Sequence, residues 1–196
     1  MKKPSLYVVI TNHFDLTWRR CWDRRFTWDG QEYVSYAEIE DAYMTENLAL
    51  ARKHPEYKFM AECTAVARKF VERHPKRLPE LKRLAAAGRF EVGGAGDNVV
   101  DGNLALGESL ARNFVTGFLW LEKHLGQRVT CAIRNDAFGN SAQLPQILRQ
   151  CGLRLVFGLT YSQLDGEYWR GLDGSTICGR GFPRAGTVAG YDKYPP

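Results

Sequence analysis

Long apolar runs are missing from this 196-residue chain. No stretch approaches the roughly 18 consecutive apolar residues of a membrane span, so no membrane association is expected. Cysteine is sparse and shows no pairing pattern. Cys21, Cys63, Cys131, Cys151 and Cys178 are odd in number, and none falls in a Cys-x-x-Cys pair. That argues against a disulfide framework and a cysteine-held zinc, and it fits a reducing cytoplasm. Internal repeats and low-complexity tracts are also lacking. A cleavable leader is not predicted either: Lys2 and Lys3 precede an apolar run, but that run is short. His13 and Asp15 interrupt it where a small-residue cleavage site would stand.

A large excess of one charge is absent too, the net charge being +5. Basic residues concentrate at Arg19-Arg20, at Arg24-Arg25 and across residues 75–89, with Trp18, Trp22, Phe26 and Trp28 interleaved in the first part. Such interleaving can serve nucleic acid. However, Lys76, Arg77, Lys82 and Arg83 alternate with Leu78, Leu81 and Leu84 at helical spacing, which is the wet face of an amphipathic helix. No nucleic-acid partner is expected.

What is present is an ordinary globular composition, 44% hydrophobic and 25% charged. A compact fold of this length buries roughly 70% of its extended-chain surface. Residues 6–11 are apolar, β-branched or aromatic and read as a strand buried on both faces, of the kind found in parallel sheets. An irregular segment with a turn at Asp29-Gly30 follows, then a helix over 36–53 that His54-Pro55 ends. A strand at 57–62 leads into a helix over 64–72, and Pro75 divides that helix from another running to Ala87. Gly88 stops the latter, and a short strand covers 89–92. The glycine-rich loop at 93–98 fails the dinucleotide-binding test: the third glycine would fall at Val99, and the next helix starts only near Gly107. A strong helix over 108–125 carries Leu110, Phe114, Phe118 and Leu121 on one face, with Gly126 as its stop. A strand at 129–133, a helix near 145–150 and a strand at 154–158 continue the alternation, which argues for α/β architecture with a parallel sheet. Residues 168–178 read as a hairpin about Asp173-Gly174. The tail from 179 to 196 carries no closing element.

Two places carry chemistry-bearing residues. His13 and Asp15 project to one side where the first strand ends, an imidazole and a carboxylate suited to binding a metal, with Trp18 three residues on. Asp136 stands just past the carboxyl end of the 129–133 strand, on the rim where α/β folds bind ligands. Each also has a plain structural reading: Asp15 as a turn cap beside a solvated His13, Asp136 as a helix-cap or turn residue, and Trp18 as core.

Several motifs, in order, resemble the N-terminal catalytic domain of glycoside hydrolase family 38, the zinc-dependent retaining α-mannosidases. They are His13-Phe14-Asp15-Leu16-Thr17-Trp18; Val100-Asp101-Gly102-Asn103-Leu104 with Gly107-Glu108-Ser109-Leu110-Ala111-Arg112; Asn135-Asp136-Ala137-Phe138-Gly139-Asn140-Ser141; and Tyr168-Trp169-Arg170-Gly171-Leu172-Asp173-Gly174-Ser175. The resemblance implies a seven-stranded β/α barrel with parallel strands, incomplete here and followed by the hairpin. It implies Zn2+ held by His13, Asp15 and Asp136, with Asp136 also the nucleophile. Trp18 would lie under the sugar of a mannose-containing glycan. Asp101 and Arg112 themselves read as structural residues or as supports of Asp136, which a buried ion pair at the rim would orient. It further implies a last zinc-binding histidine and an acid/base aspartate downstream of the nucleophile, and neither has a motif here. Leu16 departs from the family's usual proline.

Residues 1–196 are accordingly expected to be the first part of such a domain, without the helical-bundle and β-sandwich domains that follow it in the family. On its own the chain is expected to bind zinc poorly. The alternative is a catalytically incomplete fragment or sugar-binding module of the same fold. A polysaccharide deacetylase would need an Asp-Asp pair near the start and a His-x-x-x-His run, and the sequence has neither.

Overall fold

The computed structural model describes residues 10–13, 15–16, 20–158 and 168–180. They fall into two compact units, Met1–Val92 with Trp120–Gln127, and Gly93–Leu119 with Arg128–Pro196.

The first unit is built on a parallel sheet of three short strands, β1 (Ile10–Asn12), β4 (Phe59–Ala61) and β5 (Phe90–Val92), in that order. The expected first strand is thus in parallel pairing where it is described. Between β1 and β4 come a hairpin, β2 (Phe26–Trp28) with β3 (Gln31–Tyr33), and helix α1 (Tyr36–Lys53). The hairpin was legible only as a turn. Asp29 and Gly30 both take the left-handed conformation, φ 48° and 72°, which matches a two-residue loop to the strands' twist. Helix α1 has the expected bounds. Its start is fixed by a capping box: Ser35 Oγ accepts from the Glu38 amide, and Glu38 Oε2 accepts from the Ser35 amide. Helices α2 (Thr64–Arg73) and α3 (Leu78–Ala86) flank a 3-10 turn at Pro75–Arg77, as the proline implies.

The core of this unit follows the apolar spacing. Met44 and Leu48 of α1, Phe59 and Ala61 of β4, Val66 and Phe70 of α2, Leu81 and Leu84 of α3, and Phe90 and Val92 of β5 are all buried. The Phe59 and Phe90 rings sit 4.9 Å apart across neighbouring strands. Tyr43 on α1 donates its hydroxyl to the Met60 carbonyl at 2.7 Å, tying helix to sheet.

The second unit holds a four-stranded sheet ordered β6 (Cys131–Ile133), β7 (Leu155–Phe157), β9 (Thr176–Arg180), β8 (Tyr168–Arg170). The first three strands pair in parallel and β8 closes antiparallel on β9. The expected hairpin is therefore present, with Arg170 opposite Thr176. One of its strands also extends the parallel sheet, a long-range pairing that local spacing does not encode. Helices α4 (Gly107–Leu125) and α5 (Leu144–Gln150) supply the rest. Leu110, Phe114, Ala132, Leu144, Leu148, Leu153, Val156 and Ile177 form one buried cluster. The outcome is a mixed α/β fold with parallel pairing, its described strands standing in three sheets. Among the described residues, no helix is long and apolar enough to cross a membrane.

Candidate functional site

In the first unit, strand register does the positioning. Asn12 lies opposite Ala61 in the parallel pair β1–β4, so the next residues along, His13 and Glu62, emerge side by side at the carboxyl ends of neighbouring strands. His13 Nδ1 lies 2.7 Å from Glu62 Oε2, and the Glu62 side chain is 3% exposed. On the other side of the ring, His13 Nε2 is 3.5 Å from Asp15 Oδ1. The shorter separation is a full hydrogen bond and the longer one is not, so for a neutral ring the proton belongs on Nδ1. That leaves the Nε2 lone pair and an Asp15 oxygen 3.5 Å apart. Two ligands of a tetrahedral cation with bonds of about 2.1 Å stand about 3.4 Å apart. The imidazole–carboxylate pair thus fits a shared cation in both donor chemistry and spacing. Among the described residues, no group of three or more His, Cys, Asp and Glu side chains is gathered to hold a metal.

The second unit places Asp136 by different means. Residue 136 follows β6 by three positions and has φ 50°, one of two left-handed non-glycine residues among those described. A non-glycine residue pays about 1 kcal/mol or more to hold that conformation, and the surrounding hydrogen bonds supply it. Arg134, wholly buried, donates from Nη2 to the Val100 carbonyl at 2.6 Å and from Nε to Asn140 Oδ1 at 3.1 Å. Its amide donates to the Phe157 carbonyl of β7. Asp101 Oδ1 accepts from the Phe138 amide at 2.7 Å, and the Gly102 amide donates to the Gly139 carbonyl at 2.9 Å. The loops at 100–102 and 134–141 are thereby stitched together on both sides of Asp136. Gly139 has no room for a side chain, since a Cβ would meet Asn103 Nδ2 at 2.5 Å. The hairpin joins the same assembly through the Leu172 amide, which donates to the Ala142 carbonyl.

The glycine-rich segment is held by Asn113 of α4. Its Nδ2 donates to the carbonyls of Ala95 and Asn98, and its Oδ1 accepts from the Asn98 amide. These contacts fix the path of the loop.

Of the residues singled out in the sequence, His13 and Asp15 stand together in the first unit, and Asp101 and Asp136 lie in stitched loops of the second. Trp18 lies outside the described residues. The expected buried pairing of Asp101 with Arg112 is corrected: Arg112 Nε pairs with Glu108 Oε1 at 2.7 Å on the exposed face of α4. Glu108 is one turn away on the same helix, the natural partner for a surface arginine. Asp101 takes a backbone amide instead. His54 and His74 are helix C-caps, and His124 stacks on Trp120 in the last turn of α4. Spacing gave no sign of Glu62, Arg134 or Asn113.

Residues 3–180 match the Glycosyl hydrolases family 38 N-terminal domain. Alpha-mannosidase G of Dictyostelium discoideum is 32% identical over 94% of this chain and 17% of that protein. Alpha-mannosidase 2C1 of Homo sapiens is 31% identical over 66% of this chain and 13% of that protein. The crystal structure of an alpha-mannosidase from Enterococcus faecalis V583 superposes with a TM-score of 0.67 at 26% identity, covering 89% of this chain and 19% of that one. This chain spans less than a fifth of each of these relatives. With 178 of 196 residues matched, it belongs to the glycosyl hydrolase family 38 N-terminal domain family.

Proposed function

We propose that this chain carries the nucleophile and part of the cation site of a retaining, zinc-dependent α-mannosidase acting on terminal α-mannosides of oligosaccharides or glycans. In this reading its parallel strands belong to one seven-stranded β/α barrel, with His13, Asp15 and Asp136 sharing one Zn2+. The observation that carries it is the held, left-handed Asp136 past β6, within a segment matched to a family whose relatives are named alpha-mannosidases.

The zinc, when bound, would grip vicinal sugar hydroxyls and favour an ionised carboxylate beside it. The nucleophilic step belongs to the chain, whereas the general acid has no motif in it. An Asp136 oxygen attacks the anomeric carbon as the bond to the leaving oxygen breaks. A carboxylic acid protonates that oxygen, and the sugar is left esterified to Asp136. Water then attacks the same carbon and regenerates the carboxylate, so two inversions give net retention. His13 and Asp15 would hold the cation, and Trp18 would offer an indole face to the C–H surface of the sugar. Asp101 and Arg134 hold the loops that aim Asp136. Five cysteines, odd in number and without a Cys-x-x-Cys pair, suit a reducing compartment, and we place the protein in the cytoplasm on that ground.

An activated fluorinated mannosyl fluoride separates the nucleophile from the general acid, because fluoride departs without protonation. Incubated with the chain at saturating zinc, it should leave a glycosyl adduct on the tryptic peptide spanning residues 135–149, and none in Asp136→Asn. A sugar-binding module of the same fold would take no label in either form, and that result would overturn the reading.

A further inference from the structure

Glu62 has no part in the assignments above, yet its Oε2 lies 2.7 Å from His13 Nδ1. We infer that Glu62 is a positioning residue for His13. It holds the ring's proton on Nδ1, so that the bare Nε2 is presented beside Asp15 to a divalent cation. This rests on the reading of His13 and Asp15 as cation ligands.

Geometry carries the inference. An imidazole free in water exchanges its proton between two nitrogens, and only the tautomer with a bare Nε2 can ligate through that atom. Glu62 Oε2 is at hydrogen-bond distance from Nδ1, whereas the Asp15 oxygen is too far from Nε2 to compete for the proton. Glu62 is 3% exposed, so water competes little for its carboxylate and the bond has a single direction. Its backbone is fixed independently of the contact. Strand β4 pairs on both sides, with β1 and β5, and Glu62 follows its last paired residue before α2 begins. The acceptor is therefore in place before any cation arrives. A carboxylate behind a ligating histidine fixes its tautomer and orientation and raises its basicity.

A purely packing role for Glu62 would leave the tautomer to chance, and the test turns on that difference. The tautomer of His13 can be read from nitrogen-15 shifts of the metal-free, labelled chain, at a pH where the ring is neutral. Zinc affinity is measured by calorimetry on the same samples. The wild-type ring should carry its proton on Nδ1. Glu62→Leu should shift the population toward the Nε2-protonated form and weaken zinc binding by roughly 10–100-fold. Glu62→Gln keeps an acceptor of the same shape, so it should retain the wild-type tautomer with a smaller loss of affinity. It also serves where the leucine variant fails to fold. A wild-type ring protonated on Nε2 would overturn the inference. So would a folded Glu62→Leu chain with wild-type tautomer and zinc affinity, or a Glu62→Gln chain as weak as His13→Ala. If every form, wild type included, ignored zinc while the Nδ1 proton stayed in place, the cation reading would fall and the His13–Glu62 assignment would stand.

Discussion

The two units secure their candidate site residues by opposite means. In the first, placement comes from strand register and charged side chains: two adjacent parallel strands end together, and a buried carboxylate turns the imidazole that emerges beside it. In the second, placement comes from the backbone. A buried guanidinium and a carboxylate draw two loops together by their carbonyls and amides, and Asp136 is held in a conformation that few non-glycine residues adopt. A ligand to a cation needs a defined lone pair, which one side-chain bond can fix. A nucleophile needs a defined position, which takes a rigid loop. The difference follows the work proposed for each.

This contrast can be broken or sharpened by substitution. The largest effect is expected in the second unit, where backbone segments touch. A Cβ at Gly94 would overlap the Cys131 carbonyl oxygen and sit 2.8 Å from Ala132 Cα, both backbone atoms of β6 that cannot swing aside. Gly94→Ala should cost about 3 kcal/mol or more in urea unfolding, and a near-neutral result would show that the loop is not pressed on the strand.

The first unit should instead betray its buried charge through pH. Glu40 on α1 is wholly buried, and burial pushes its carboxyl up to about 8. The Arg73 guanidinium, 3.1 Å away, offsets this only in part. The folded-state value lies above the ordinary 4.5, so the folded chain keeps a proton that the unfolded chain releases. Stability from this group is therefore highest below about pH 4.5, falls as pH rises toward about 8, and levels off above that. The change is on the order of a few kcal/mol. Glu40→Gln should flatten that part of the wild-type profile; an unchanged slope would assign it to another group.

A smaller loss is expected at the α1 cap. Ser35→Ala removes the hydroxyl that accepts from the Glu38 amide and should cost about 1 kcal/mol by chemical denaturation. The smallest change is expected at Asp136 and carries the opposite sign. Asp136→Gly relieves the left-handed strain and should raise stability by up to about 1 kcal/mol, while abolishing covalent labelling. A destabilised glycine variant would mean that the Asp136 side chain supports the loop rather than being supported by it.

Much of the local structure was legible in the sequence. Helix α1 could be bounded because His54-Pro55 ends it, and Ser35-Tyr36-Ala37-Glu38 carries a capping box that could have been read as well. Gly88 and Gly126 do take the left-handed stops their positions imply, at φ 63° and 67°. What stayed hidden depends on partners distant in the chain. The parallel joining of β9 to β7 and the choice of Glu62 as the neighbour of His13 both follow from register, which no short window contains. Arg134 carried no signal, because its burial and its bond to the Val100 carbonyl, distant in the chain, decide its role. The Asp101–Arg112 expectation failed for a related reason: Glu108, one helical turn away, pairs with the arginine at lower entropic cost than a partner on another loop.

The proposal on which the rest depends is that His13, Asp15 and Asp136 bind the same zinc ion. Zinc titration of the wild type, His13→Ala, Asp136→Asn and the double variant tests it most directly. Each single change should weaken binding at least about tenfold, and the two should be coupled, the double variant losing less than the two losses combined. An Asp136→Asn chain that binds zinc as tightly as the wild type would contradict the account.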